Sequence, residues 1–182
     1  MNQGVRLLHE IGDAETAIRH FSVVLKQNAE HYGARYQIAK AFEKTQQLHL
    51  AHRAWSRFEP MARLSKDSPA LKHAQERIAT LENQMTALEK QMDKGVDLLH
   101  VQKRPDDAVA VFKKVRSAWA THYGARYQLA LALEQSGQNN AAEGAWSQFL
   151  DVAEATNNRE DIQAAKAAIS RVRALQESRE PG

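Results

Sequence analysis

No cysteine occurs in this 182-residue chain, which excludes a disulfide framework, a thiolate metal site and a cysteine nucleophile. Only eight glycines and four prolines are present, too few for a collagen-like or Gly/Pro-rich disordered chain. No stretch approaches the roughly 20 apolar residues that a bilayer-spanning helix needs. The N-terminus lacks the basic-then-apolar layout of a signal peptide, so the chain as written reads as soluble, without membrane insertion by this segment. A Gly-rich phosphate loop, a nucleophile-elbow serine and a zincin motif are all missing. Catalytic residues, cofactors and metal ligands are therefore not implied. Charge of one sign is scarce too: 25 Lys and Arg face 22 Asp and Glu for a net charge of +3, and the signs intersperse, which argues against a nucleic-acid footprint.

What is present is helix-forming. Hydrophobic residues make up 43% of the chain, enough for a real core, and Ala, Leu, Gln, Glu, Lys and Arg are abundant. The heptapeptide HYGARYQ occurs at residues 31–37 and again at 122–128. The same 91-residue offset aligns Gly4-Val5 with Gly95-Val96, Leu7-Leu8-His9 with Leu98-Leu99-His100, Phe21 with Phe112, and Trp55 with Trp146. Residues 1–91 and 92–182 thus read as two copies of one unit, matching at roughly a third of positions, and such repetition decides the architecture. A 34-residue spacing lies inside each copy: Ala17 and Phe21 recur as Ala51 and Trp55, and Ala108 and Phe112 as Ala142 and Trp146. A small residue followed four later by an aromatic lies on one helix face, which suits two helices crossing closely beside a bulky plug.

These residues resemble the tetratricopeptide repeat (TPR) family, built from helix pairs of about 34 residues. Gly12-Asp13 and Gly137-Gln138 stand where that family turns between the two helices of a pair, whereas Gln46 and Lys103 replace the turn Gly and the usual helix-ending Pro is absent. The resemblance covers about residues 1–64 and 92–156, four helix pairs. It implies an all-α, TPR-like helical-hairpin solenoid; with the 91-residue duplication this makes two homologous units of two pairs each, and each unit carries an extra helix that the 34-residue pattern does not explain.

The extra helix has its own signature. Ser68-Pro69 reads as an N-cap followed by Pro at the first helical position, and Leu71, Ala74, Ile78, Leu81, Met85, Leu88 and Met92 keep a 3,4 spacing that runs on to Val96 and Leu99. This heptad seam predicts one long helix from Pro69 to about Val101, roughly 50 Å at 1.5 Å per residue. Its counterpart, from about Glu160 to Glu177 with Ile162, Ala165, Ile169 and Val172, would cap the C-terminal end, with residues 178–182 fraying beyond it. Because Met1 aligns with Met92, inside a helical pattern, the chain also reads as a piece of a longer protein. Its compartment is left open: cytoplasmic, or periplasmic if the longer protein is anchored or exported.

In the heptapeptide, His31 and His122 are expected in the turn before a helix, Tyr32 and Tyr123 as wedges between helix pairs, and Gly33 with Ala34 as a close-approach point. Arg35, Tyr36 and Gln37 are the half where a partner is expected, because Ile38, Ala41 and Phe42 already supply an apolar stripe. The TPR resemblance implies a concave groove lined by first helices. Its candidate contacts are Arg6, His9, Arg35, Tyr36, Lys40, Glu43 and Lys44, with Asp97, His100, Arg126, Tyr127, Leu131, Glu134 and Gln135. The family's known clamp for a C-terminal carboxylate uses Lys and Asn at set positions that these residues do not reproduce. His49 and His52 have metal-compatible spacing without a third ligand and read as a surface pair. The expectation is a non-catalytic scaffold that binds a protein or peptide. Two other readings are a homo-oligomerisation module pairing through the 71–92 seam and, with less support, an RNA-binding repeat in which Tyr and Arg stack bases.

Overall fold

A computed structural model describes residues 2–178. Nine α-helices and no strand occur among them: α1 (Asn2–Arg6, continued by a π-helical turn Leu7–Ile11), α2 (Ala14–Gln27), α3 (Tyr32–Lys44), α4 (Leu48–Leu64), α5 (Ser68–His100), α6 (Pro105–Ala118), α7 (Tyr123–Gln135), α8 (Asn139–Ala155) and α9 (Arg159–Glu177). The chain divides into two compact units. Unit 1 holds residues 1–87 with 119–121, and unit 2 the remainder. Helices adjacent in sequence pack on each other, α2 on α3 and α3 on α4 in unit 1, and α6 on α7, α7 on α8 and α8 on α9 in unit 2. This is the TPR-like hairpin arrangement. Residues 179–182, where the sequence predicts fraying, lie outside the described residues.

The small-and-aromatic pattern forms the core. Ala17, Phe21, Ala51, Trp55, Ala108, Phe112, Ala142 and Trp146 are all buried. Each plug needs a seat, and for two of them the seat is a glycine. A Cβ on Gly4 would lie 2.7 Å from Cε1 of Phe21, and one on Gly95 would lie 2.5 Å from Cε1 of Phe112. Only the hydrogen at Cα lets the first helix of the pair approach the ring this closely. Gly124 of the second heptapeptide is different, since its nearest neighbour would be at an ordinary 3.4 Å; the close approach expected of the heptapeptide falls to Ala34 and Ala125, both fully buried.

The turns follow one rule. Gly12, Gln46, Lys103 and Gly137 each end the first helix of a pair in the left-handed region, at φ 86, 55, 55 and 73°. Lys66 and Asn157 do the same before α5 and α9, at φ 56 and 54°. The missing turn glycines thus leave the geometry unchanged and add the steric cost of a Cβ.

α5 begins one residue earlier than the sequence predicts. Its cap is Asp67, whose Oδ1 accepts the Ala70 N–H at 3.1 Å, rather than Ser68. A carboxylate at this end also meets the helix dipole favourably. Of the seam residues, Ala74, Leu81 and Met92 are buried and Leu71, Ile78, Met85 and Leu88 are half-buried. None of the seven is fully exposed.

Two glycines in helix interiors should respond oppositely to alanine. Gly95→Ala is expected to lose about 2 kcal/mol, up to about 3 from overpacking against Phe112 less about 1 from helix propensity. Gly144→Ala, where an added Cβ meets nothing within 4 Å, is expected to gain about 0.5–1 kcal/mol. Urea denaturation of the two variants checks the pair, and equal shifts would contradict the seat. Lys103→Gly should gain about 0.5–1 kcal/mol, the left-handed strain relieved less the added freedom of the unfolded chain.

Candidate interaction site

Four residues of the heptapeptide have an internal task in both copies. His31 and His122 cap α3 and α7: each imidazole Nδ1 accepts the backbone N–H three residues on, from Ala34 at 3.2 Å and Ala125 at 3.1 Å. Tyr32 and Tyr123 lean their rings on Phe58 and Phe149, with centroids 4.9 and 5.0 Å apart. Their hydroxyls donate to Asp67 Oδ2 at 2.8 Å and Asp161 Oδ2 at 2.7 Å. Tyr36 sits edge-on to Trp55 and Phe58, each at 5.3 Å, and Tyr127 meets Trp146 and Phe149 at the same distances. Gln37 Oε1 pairs with His9 Nε2 at 2.9 Å, and Gln128 Oε1 with His100 Nε2 at 3.3 Å.

Several residues expected to face a partner are thereby engaged inside their own unit. Glu43 takes the indole N–H of Trp55 and the guanidinium of Arg77. Glu134 accepts from Trp146 Nε1 at 3.0 Å and from Arg171 at 2.5 and 3.0 Å. These carboxylates raise the pKa of Arg77 and Arg171. Lys44 Nζ donates to the Leu8 carbonyl at 2.9 Å, closing the π-helical turn, while Leu131 packs on the unit 2 core. Arg6 forms an exposed i,i+4 pair with Glu10 at 3.5 Å, worth little in water. Asp97 Oδ2 accepts from Gln102 at 2.6 Å, and Gln135 is exposed.

Arg35 and Tyr36, adjacent in sequence, have separate surroundings. Arg35 Nη2 reaches Glu30 at 3.3 Å and lines a cavity with Leu25, Phe42, Arg53 and Arg57. Its counterpart Arg126 is half-buried, and that burial, with Arg116 nearby, pulls the guanidinium pKa down. Tyr36 instead lines a surface cavity of about 350 Å³ with Tyr32, Asp67, Pro69, Ala70 and His73. Lys40 Nζ stands 5.5 Å from the Tyr36 ring centre. The sequence reading missed His73, which follows no repeat because position 164 in the second copy is Ala. It also missed Trp119, a buried residue of unit 1 whose ring lies 4.6 Å from that of His49. The ring of His52 reaches Glu82 at 3.0 Å instead. No group of three or more potential metal ligands exists among the described residues, and none of their helices is long and apolar enough to cross a membrane.

The two half-buried tyrosines give the fold an alkaline limit. Burial first, then the bond to the neighbouring carboxylate, pushes Tyr32 and Tyr123 up to about 12, against about 10 in an unfolded chain. Between these values the native state holds protons that the unfolded state releases, so stability falls as pH rises through the window. Urea midpoints measured from pH 9 to 11.5 are expected to decline. Tyr32→Phe/Tyr123→Phe should start lower at pH 8, by about 1 kcal/mol per lost hydrogen bond, and decline less. An equally steep decline in the variant would acquit these tyrosines.

No family model and no curated protein matches the chain. Solved structures align along most of it. A crystal structure of MamA is 18% identical over 86% of this chain and 98% of its own, with a TM-score of 0.36. A MamA RS-1 ArsTM double mutant is 16% identical over 97% and 94%, with a TM-score of 0.35. A Podosopora anserina putative kinesin light chain with nearly identical TPR-like repeats is 15% identical over 98% and 85%, with a TM-score of 0.36. The fold assignment stands on the chain's own geometry. Paired helices with small-and-aromatic plugs 34 residues apart and left-handed turns between them make it an all-α protein of TPR-like helical hairpins.

Proposed function

We propose that the chain is a non-catalytic protein-interaction module, and that a protein or peptide segment docks in unit 1 on the face formed by α3 and the start of α5. The observation that carries this is the cavity at Tyr36: its aromatic wall of Tyr32, Tyr36 and His73 stands on helices and opens to the surface at about 350 Å³. Tyrosine anchors supply contact area with little side-chain entropy to lose, and burial of a partner's apolar side chain between them is how interface hot spots gain energy. Tyr36 is held by Trp55 and Phe58, which preorganises it. Pairing of chains through residues 71–92 has less support, because none of the seam positions is fully exposed.

Truncating Tyr36 would disturb packing, so the discriminating variant fills the cavity. Ala70→Arg keeps the backbone N–H that Asp67 accepts and places a bulky cation in the mouth. It is expected to keep wild-type helicity and to lose proteins that wild type captures from lysate, while the exposed substitution Lys113→Gln retains them. Capture of the same proteins by folded Ala70→Arg would remove this face as the docking site.

A further inference from the structure

We infer that unit 1 carries a second docking site, formed by α2, α3 and α4, for an acidic segment of a partner protein that inserts one apolar side chain between its carboxylates. The site is a cavity of about 180 Å³ lined by the apolar Leu25, Phe42 and Leu50 and by three arginines, Arg35, Arg53 and Arg57. It shares no lining residue with the Tyr36 cavity. Apolar cavities of about 150 Å³ hold a benzene-sized group. The volume therefore fits one ring or branched side chain and is smaller than the pockets that take whole cofactors.

The charges fix the rest of the ligand. No carboxylate lines the cavity. Glu30 pairs with Arg35 Nη2 at 3.3 Å, and Arg35 Nε is buried without a hydrogen-bond acceptor, an arrangement that favours an incoming one. Arg53 and Arg57, both exposed, make no ion pair among the described residues. They lie four apart on α4, hence on one face. Guanidiniums match carboxylates in bidentate geometry. An apolar lining beside them calls for an apolar group flanked by acids, which a bare phosphate backbone does not present.

The second copy supplies an internal contrast. Ninety-one residues on, Leu25, Leu50, Arg53 and Arg57 become Arg116, Ala141, Gly144 and Gln148, and Arg116 donates to Gln148 at 2.8 Å. The helix plugs are shared by both copies, yet the second has lost the two guanidiniums of α4 and part of the apolar lining, and has gained an arginine in place of Leu25. Packing therefore does not require these residues.

The test is fluorescence anisotropy with full-length protein and a fluorescein-labelled peptide of four Asp and four Glu around one central Phe, at 50 mM salt. Wild type is expected to bind, more weakly at 200 mM salt. Arg53→Gln/Arg57→Gln should weaken binding at least tenfold, whereas Lys113→Gln/Lys114→Gln, which removes the same charge elsewhere, should stay within twofold. Replacing the peptide's Phe by Gly should weaken it at least threefold. No binding by wild type, equal binding by the two double variants, equal binding of the Gly peptide, or tighter binding of an oligouridylate of equal charge would each overturn the assignment. Because Ala70→Arg leaves this site intact, its effect on the peptide should be within twofold, which separates failure here from failure of the Tyr36 reading.

Discussion

One carboxylate holds three helices in each unit. Glu43 on α3 receives the indole of Trp55 on α4 and the guanidinium of Arg77 on α5; Glu134 on α7 does the same for Trp146 on α8 and Arg171 on α9. Trp55 and Trp146 are buried core plugs, so their N–H groups need an acceptor where water is scarce, and unmet donors there cost about 1–3 kcal/mol. The acceptor is a charge only partly reached by solvent, and the arginine offsets the desolvation it would otherwise suffer. Core and surface are joined at this point: the same glutamate satisfies the aromatic plug beneath it and fixes the extra helix above it. The aromatic clusters, the tyrosine hydroxyl bonds and the Tyr36 cavity all lie between helices that this contact positions.

The architecture was legible because it rests on side-chain size and spacing. Ala17 with Phe21 and Ala51 with Trp55 announce close helix crossings whatever surrounds them, and Gly12 and Gly137 mark turns that Gln46 and Lys103 then copy in backbone though not in residue type. The site was less legible, because polar partners do not obey the 91-residue offset. Arg77 aligns with Ala168, and the role passes one turn along the helix to Arg171. Asp67 aligns with Asn158, which keeps the cap while Asp161, again one turn on, takes the tyrosine hydroxyl. A comparison of the two copies therefore makes Glu43 and Glu134 look unpartnered. Their partners are visible only once the third helix is in place. Arg35 and Tyr36 line different cavities for a geometric reason: a 100° step around a helix sends neighbours to different surroundings.

Duplication has preserved contacts of opposite composition at one pair of positions. His52 meets Glu82 in the first copy, and Glu143 meets Arg173 in the second, at positions exactly one repeat apart. The acid and the base have changed places. The contact between second and third helices is thus kept by complementarity rather than by residue identity, and each unit's third helix carries a hydrogen-bonding partner matched to its own second helix. Two carboxylates, Glu143 and Glu82, would meet if the two third helices were exchanged.

α5 runs without a break from Ser68 to His100, yet its first twenty residues belong to unit 1 and the rest to unit 2. Starting a helix is the unfavourable step, and lengthening one costs little. Whichever unit orders its share of α5 first presents the other with a helix end already formed, four carbonyls or four N–H groups awaiting the next turn. Nucleation is then needed once where two separate helices would need it twice. A polypeptide cut within α5 would bear two frayed ends in place of one continuous ladder, so the chain's two homologous halves are kinetically dependent through their shared backbone.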